Sequence, residues 1–332
     1  MAKTVRLGFV GAGGMAKAHT DALKTVPDVA IAAFTDVSRP RAEAMAEEWK
    51  AAVYDTPAQM MEDGGLDAVY ILLPPFAHGE AERVALERRL PFFVEKPVGL
   101  DLGLVEELAA EVEHQGLLTG AGYMNRYRKS VQTARERLQS EPAILGWGGW
   151  WGGSPKGASG AGIGSWWSDR HKSGGQFHEQ VTHTVDVVRF LFGDAEEVFA
   201  YAARGFNKDI PGYDMDDAAT VAIRFRNGGI ANLMSSVSSN AGGGVRLHVH
   251  SLTTNYDFSG WEHSLVIKQK GAEPEEIKGE DNIFGIEDAA FLHAVRTGDK
   301  AGVLSTYPDA AKTLAITIAA NQSIATGKPV TV

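Results

Sequence analysis

Between Val5 and Val10 the chain is mostly apolar and β-prone. It runs straight into Gly11-Ala12-Gly13-Gly14-Met15-Ala16, and a helical stretch from about Met15 to Val26 follows. A buried strand that breaks into a glycine-rich turn and then a helix leaves few choices of fold. Gly11 permits the tight turn, Gly13 lets the backbone approach a ligand, and Ala16 keeps the helix close to the strand. The free amides and partial positive charge at such a helix N-terminus suit phosphate. A second apolar run, Val29 to Phe34, ends at Thr35-Asp36. Glycine turns are ordinary in a chain with 38 glycines; the strand, the helix and the following acid are what make this one a dinucleotide fingerprint. Gly11, Gly13, Gly14 and Met15 are then expected around a pyrophosphate, with Asp36 on the adenosine ribose. An acid there repels a 2′-phosphate and favours NAD, whereas Arg39 could partly reverse that preference and admit NADP. The plain alternative is that Asp36 only ends a strand and Arg39 is solvated surface.

The pattern then repeats. Pro40 opens another helix, Ala68 to Leu73 is a strand stopped by Pro74-Pro75, and a helix from about Ala77 to Arg89 follows. Phe92 to Val94 is a short strand, Asp101 caps a helix to about His114, and Leu117 to Tyr123 closes the series. Strands apolar on both faces and alternating with helices imply a doubly wound parallel α/β sheet, a Rossmann domain over residues 1–122. From residue 123 the character changes. Helices are expected near Lys129–Gln139 and Glu179–Phe192, with strands at Ile144–Trp151, Glu197–Arg204, Ala219–Phe225, Ile230–Ser236, Val245–Ser251 and Leu265–Lys268. Closely spaced strands imply an α+β domain over 123–305 with a large, mainly antiparallel open sheet. A helix from about Pro308 to Ala325 and its tail, 306–332, are expected to pack back near the first domain.

Composition excludes several classes. A formal charge of −10 argues against nucleic acid as a partner. The absence of cysteine removes disulfides, thiolate catalysis and thiolate metal sites, and it fits a reducing compartment. No apolar run approaches the roughly 20 residues that span a bilayer, and the N-terminus leads directly into a strand. The expectation is a cytoplasmic enzyme with no membrane partner.

Glu95-Lys96-Pro97 falls at the carboxyl end of a strand, where open α/β sheets bind ligands. A lysine held there can move a hydroxyl proton or polarise a carbonyl, although most lysines are simply surface.

Together Gly11–Ala16, Asp36, Leu72-Leu73-Pro74-Pro75-Phe76-Ala77-His78 and Glu95-Lys96-Pro97 resemble the glucose–fructose oxidoreductase/inositol dehydrogenase family (Gfo/Idh/MocA). The second half agrees: Ser173-Gly174-Gly175-Gln176-Phe177-His178-Glu179-Gln180-Val181-Thr182-His183-Thr184-Val185-Asp186 is similar to the family's glycine turn and histidine helix, and Ala325–Val330 to its ending. The resemblance implies that Lys96 and His183 flank a substrate hydroxyl, with Glu179 where many members have aspartate. On one continuous helix, Glu179 and His183 would share a face, with Asp186 able to support the histidine. Leu73, Pro74, Pro75, His78, Glu95 and Lys96 are implied beside the cofactor. Asn125, Arg126 and Tyr127 match a stretch that can contact substrate. His178 and His183 are five apart, unsuited to a shared metal on a helix, so no metal is expected. A buried histidine bonded within the fold is the plain alternative for His183, and a solvated helix-start histidine for His78.

Five of seven tryptophans lie between Trp147 and Trp167, around the Gly/Ser-rich stretch Gly152–Ser165. That stretch is either a loop that orders over substrate or an ordinary surface loop. Trp167 is placed in a substrate cleft, since aromatic faces suit the C–H faces of a sugar ring; Trp147 and Trp151 are assigned to packing. The reading is oxidation of a secondary alcohol on a carbohydrate or polyol, by a homodimer or homotetramer. Two rivals stay open, a glycosidase that retains NAD and a non-catalytic sensor of this fold.

Overall fold

The computed structural model describes residues 4–153 and 166–332. By internal contacts the chain divides into one unit of Met1–Met124 with Asn282–Ala311 and another of Asn125–Asp281 with Lys312–Val332. Residues 282–305, assigned to the second domain by sequence, therefore count with the first. Most of the last stretch counts with the second.

In the first unit the elements alternate as the sequence requires. They are β1 (Val5–Val10), α1 (Gly14–Leu23), β2 (Val29–Thr35), α2 (Arg39–Trp49), β3 (Ala52–Val53), α3 (Pro57–Asp63), β4 (Ala68–Ile71), α4 (Glu80–Glu87), β5 (Phe92–Val94), α5 (Leu102–Gln115) and β6 (Thr119–Ala121). The strands form a parallel sheet in the order β3-β2-β1-β4-β5-β6, the doubly wound arrangement whose ligands bind at the carboxyl ends. Phe9, Phe34, Tyr70 and Phe93 stack through its centre, and Phe291 meets Tyr70 and Phe93 edge-on.

The second unit opens with α6 (Lys129–Ser140) and β7 (Leu145–Trp151), followed by α7 (Arg170–Ser173), α8 (Gln176–Glu179) and α9 (Thr182–Phe192). Its remaining strands are β8 (Ala195–Ala203), β9 (Ala218–Phe225), β10 (Ile230–Ser236), β11 (Gly244–His250), β12 (Thr254–Ser259), β13 (Ser264–Gln269) and β14 (Glu275–Ile277). The chain ends through α10 (Ile283–Thr297), which belongs to the first unit, α11 (Tyr307–Thr326) and β15 (Val330–Thr331). The nine-stranded sheet runs β14-β13-β12-β11-β7-β10-β9-β8-β15, antiparallel except for the β7/β10 pair. One face of β9 and β10 alternates into a core with Val185, Val188 and Phe192 of α9. The other face leaves Trp147, Tyr201, Ile230 and Met234 exposed.

The expected helix over 179–192 is two pieces. The His183 amide reaches back three residues to the Gln180 carbonyl, and the Val181 amide reaches back five to Gln176. Glu179 therefore ends α8 while His183 lies in the first turn of α9, and the shared-face argument from helical spacing does not apply. Most of the Gly/Ser-rich stretch, with the substrate-loop expectation placed on it, lies outside the described residues.

No helix among the described residues is long and apolar enough to cross a membrane.

Candidate functional site

At the mouth of the parallel sheet, β1 ends in the glycine turn. Gly11 has φ +95°, and a side chain there would strike the Leu72 carbonyl, so the fold itself demands glycine. Gly13 and Gly14 differ. Neither has the left-handed φ of Gly11, and a Cβ on either would meet nothing within 4 Å. Gly13 caps α1 without any side-chain bond, leaving the first amides of that helix to a ligand. No protein group requires these two glycines, and a pyrophosphate that must come close to the backbone does. The residues fit a dinucleotide.

Asp36 closes the turn from beside. Its Oδ2 accepts the Ala12 amide at 2.8 Å and its Oδ1 the Ser38 amide at 2.7 Å. The arginine that approaches it is Arg41, at 3.1 Å, not Arg39. Arg39 is exposed and paired with Glu43 and Asp55.

His78 is held within the fold. Its Nδ1 faces Glu82 Oε1 at 2.6 Å and its Nε2 faces the Leu73 carbonyl at 3.1 Å, with the side chain 1% exposed. Both ring nitrogens serve the fold. His78 thus braces the loop Leu73-Pro74-Pro75.

Glu95 and Lys96 follow β5. The Glu95 carboxylate is buried; its Oε2 accepts the Lys96 amide at 2.8 Å and its Oε1 faces His19 Nε2 at 3.2 Å.

The second unit holds the other candidates. Gly174 and Gly175, at φ +74° and +91°, turn the chain from α7 into α8, and a side chain at Gly174 would collide with His178. His178 is fully buried, with Nδ1 3.0 Å from Thr317 Oγ1, and so is structural. Trp167 Nε1 donates to Glu179 Oε2 at 2.8 Å, joining two residues singled out by sequence. The His183 ring lies edge-on to Trp261, centroids 5.6 Å apart, and Trp261 in turn meets Trp150 at 5.2 Å. Trp261 was invisible to sequence reasoning, since it sits alone on the β12–β13 turn. Its carbonyl accepts Arg128 Nη2 at 3.3 Å and His263 Nδ1 at 3.0 Å, which hold that turn in place.

Arg126 lies in the core. It is buried with both arms on Asp186, at 2.7 and 2.5 Å, and its guanidinium stacks over Phe190. Asp186 also accepts from Thr313 at 2.8 Å. Arg126 and Asp186 thus form a core ion pair. Asn125 is buried, its Oδ1 accepting from Arg128 Nε at 2.7 Å; Tyr127 lies in the same short turn. Among the described residues, no three His, Asp or Glu side chains converge to hold a metal ion.

Comparison with known proteins fits this geometry. Residues 5–123 match the oxidoreductase family described as GFO_IDH_MocA, NAD-binding Rossmann fold, and residues 148–252 match the GFO/IDH/MocA C-terminal domain. The chain belongs to the Gfo/Idh/MocA family. It is an NAD-dependent oxidoreductase of that family. Scyllo-inositol 2-dehydrogenase (NAD(+)) of Bacillus subtilis strain 168 is 28% identical over 99% of this chain and 97% of its own. Myo-inositol 2-dehydrogenase of Thermotoga maritima is 24% identical over 70% of this chain and 68% of its own. The solved structure of levoglucosan dehydrogenase in complex with NADH superposes with a TM-score of 0.88 over 99% of each chain at 18% identity, which speaks for the fold.

Proposed function

We propose that this Gfo/Idh/MocA oxidoreductase oxidises a secondary hydroxyl on a ring polyol, a cyclitol or a sugar. The observation that carries the reading is the grouping in the second unit: a carboxylate and an imidazole, Glu179 and His183, each set against a tryptophan. Carboxylate and imidazole bind and deprotonate hydroxyls, while Trp167 and Trp261 offer faces to ring C–H groups.

Lys96 takes the hydroxyl proton, assisted by His183, and Glu179 holds a neighbouring hydroxyl. Gly11, Gly13, Gly14 and Met15 would hold NAD, with Asp36 at its ribose, and the bound cofactor would supply the hydride acceptor. Leu73, Pro74 and Pro75 would line the cofactor site, and Asn125 and Tyr127 the substrate site. The ribose acid favours NAD over NADP. The exposed apolar sheet face supports assembly into a dimer or tetramer, which light scattering reads directly.

The test is NADH formation, or NADPH with the other cofactor, across scyllo-inositol, myo-inositol, glucose and levoglucosan. Lys96→Met and His183→Ala should each lower kcat on the best substrate by about a hundredfold or more. Near-normal turnover in both variants would overturn the assignment. Release of an aglycone from a glycoside with no net NADH would replace it with glycosidase chemistry.

A further inference from the structure

Four polar side chains meet inside the first unit, in the core beneath the parallel sheet's carboxyl edge. His19 of α1 is fully buried, with Nδ1 2.9 Å from Asp288 Oδ1 and Nε2 3.2 Å from Glu95 Oε1. Tyr70 of β4 donates its hydroxyl to the same Asp288 oxygen at 3.2 Å. Glu95 spends its other oxygen on the Lys96 amide at 2.8 Å. Phe93 and Phe284 close over the imidazole with their rings 5.2 and 5.3 Å away. Each ring nitrogen faces a carboxyl oxygen, an arrangement that a doubly protonated imidazolium satisfies on both sides. Burial opposes that charge, but Asp288 and Glu95 outweigh it and hold the His19 pKa well above its ordinary value.

The arrangement is costly unless used, since two buried carboxylates would more simply be apolar residues. Its last link is the peptide that carries Lys96. Gly122 makes room for the fit: a Cβ there would lie 3.0 Å from the carboxyl carbon and both oxygens of Glu95, so any larger residue would press on the carboxylate.

We infer that His19, anchored by Asp288, is a positioning residue, which clamps Glu95 and so fixes the backbone from which Lys96 presents its amine. This rests on the assignment of Lys96 in the proposed reaction. It makes the helix that opens at the glycine turn answerable for the placement of the catalytic lysine as well as for the phosphates.

The experiment uses His19→Gln, Gly122→Ala and, as a core control outside the cluster, Phe34→Leu. His19→Gln leaves one carboxylate without its donor and risks misfolding; Gly122→Ala keeps every charge and only presses on Glu95. Two readouts are taken: kcat and KM on the best polyol, and the pH profile of Lys96 acetylation by trace acetic anhydride, followed by mass spectrometry. The second needs no substrate, so it survives failure of the proposed reaction, which Lys96→Met tests separately. Support requires that His19→Gln or Gly122→Ala lower kcat about tenfold, shift the Lys96 acetylation profile, and leave the NAD dissociation constant unchanged, while Phe34→Leu does none of these. Wild-type acetylation profiles in both cluster variants overturn the proposal. So does a loss of kcat accompanied by an equal loss of NAD binding, which would mark general disruption.

Discussion

Trp167 donates its indole N–H to Glu179 Oε2 at 2.8 Å, and both belong to the segment leading into His183. A glutamate has one more rotatable bond than an aspartate, and the indole restrains that freedom. Hydrogen bonds to a charged group contribute about 1.5–3 kcal/mol. Trp167→Phe keeps the aromatic body and loses the donor, so kcat/KM on the best polyol should fall about ten- to a hundredfold with the fold intact. Glu179→Asp should fall similarly, because the shorter arm leaves the indole. A Trp167→Phe enzyme as efficient as the parent would show that the bond does not position the carboxylate.

Gly11 and Gly13 separate folding from binding. At φ +95° and against the Leu72 carbonyl, Gly11→Ala should destabilise by about 1–3 kcal/mol, read as a lower unfolding midpoint without cofactor. Gly13→Ala meets open space and an ordinary φ, so its midpoint should stay near the parent's. Its NAD dissociation constant should nonetheless rise at least tenfold, about 1.4 kcal/mol. Equal losses of stability in the two variants would contradict the distinction.

These two glycines also show what the sequence could and could not disclose. The β1–turn–α1 signal is local, with all its residues within one strand and one helix, and local patterns survive in sequence. The Trp167–Glu179 pair lies within a dozen residues and was nearly legible for the same reason. What failed was non-local or self-concealing. Trp261 reaches His183 from a turn far along the chain, with no pattern to announce it. The helix α10 went unseen because its buried face carries Glu287 and Asp288 beside Ile283, Phe291 and Leu292, which breaks the apolar stripe by which helices are read. His19 was overlooked on the core face it shares with Ala16 and Leu23. Charged residues at core positions hide the element that bears them, and here they hid the cluster that adjoins Lys96.

The Arg126–Asp186 pair should behave as a core ion pair. Removing one partner leaves a buried charge uncompensated, so Asp186→Ala should cost about 3–5 kcal/mol in denaturant unfolding. The double change Arg126→Met with Asp186→Leu replaces charge by apolar volume and should recover most of that loss. If Arg126→Met instead raised only the KM for substrate and left stability untouched, Arg126 would return to the substrate site.

Stability should depend on pH through two buried histidines of opposite sign. Burial pushes His263 down to about 4 from its ordinary 6.5, so the folded chain keeps it neutral. As pH falls from about 6.5 to about 4, the unfolded chain gains a proton that the folded chain does not, and stability drops by up to about 3 kcal/mol. His19 is raised, so its contribution is complete below its unfolded value and is lost as pH rises through its folded value. His263 sits at φ +51°, a conformation that asparagine tolerates. His263→Asn should therefore flatten the acid limb of a urea-stability profile while leaving the alkaline limb, and His19→Gln should do the reverse. Parallel acid limbs in the parent and His263→Asn would mean that the acid sensitivity arises from some other group.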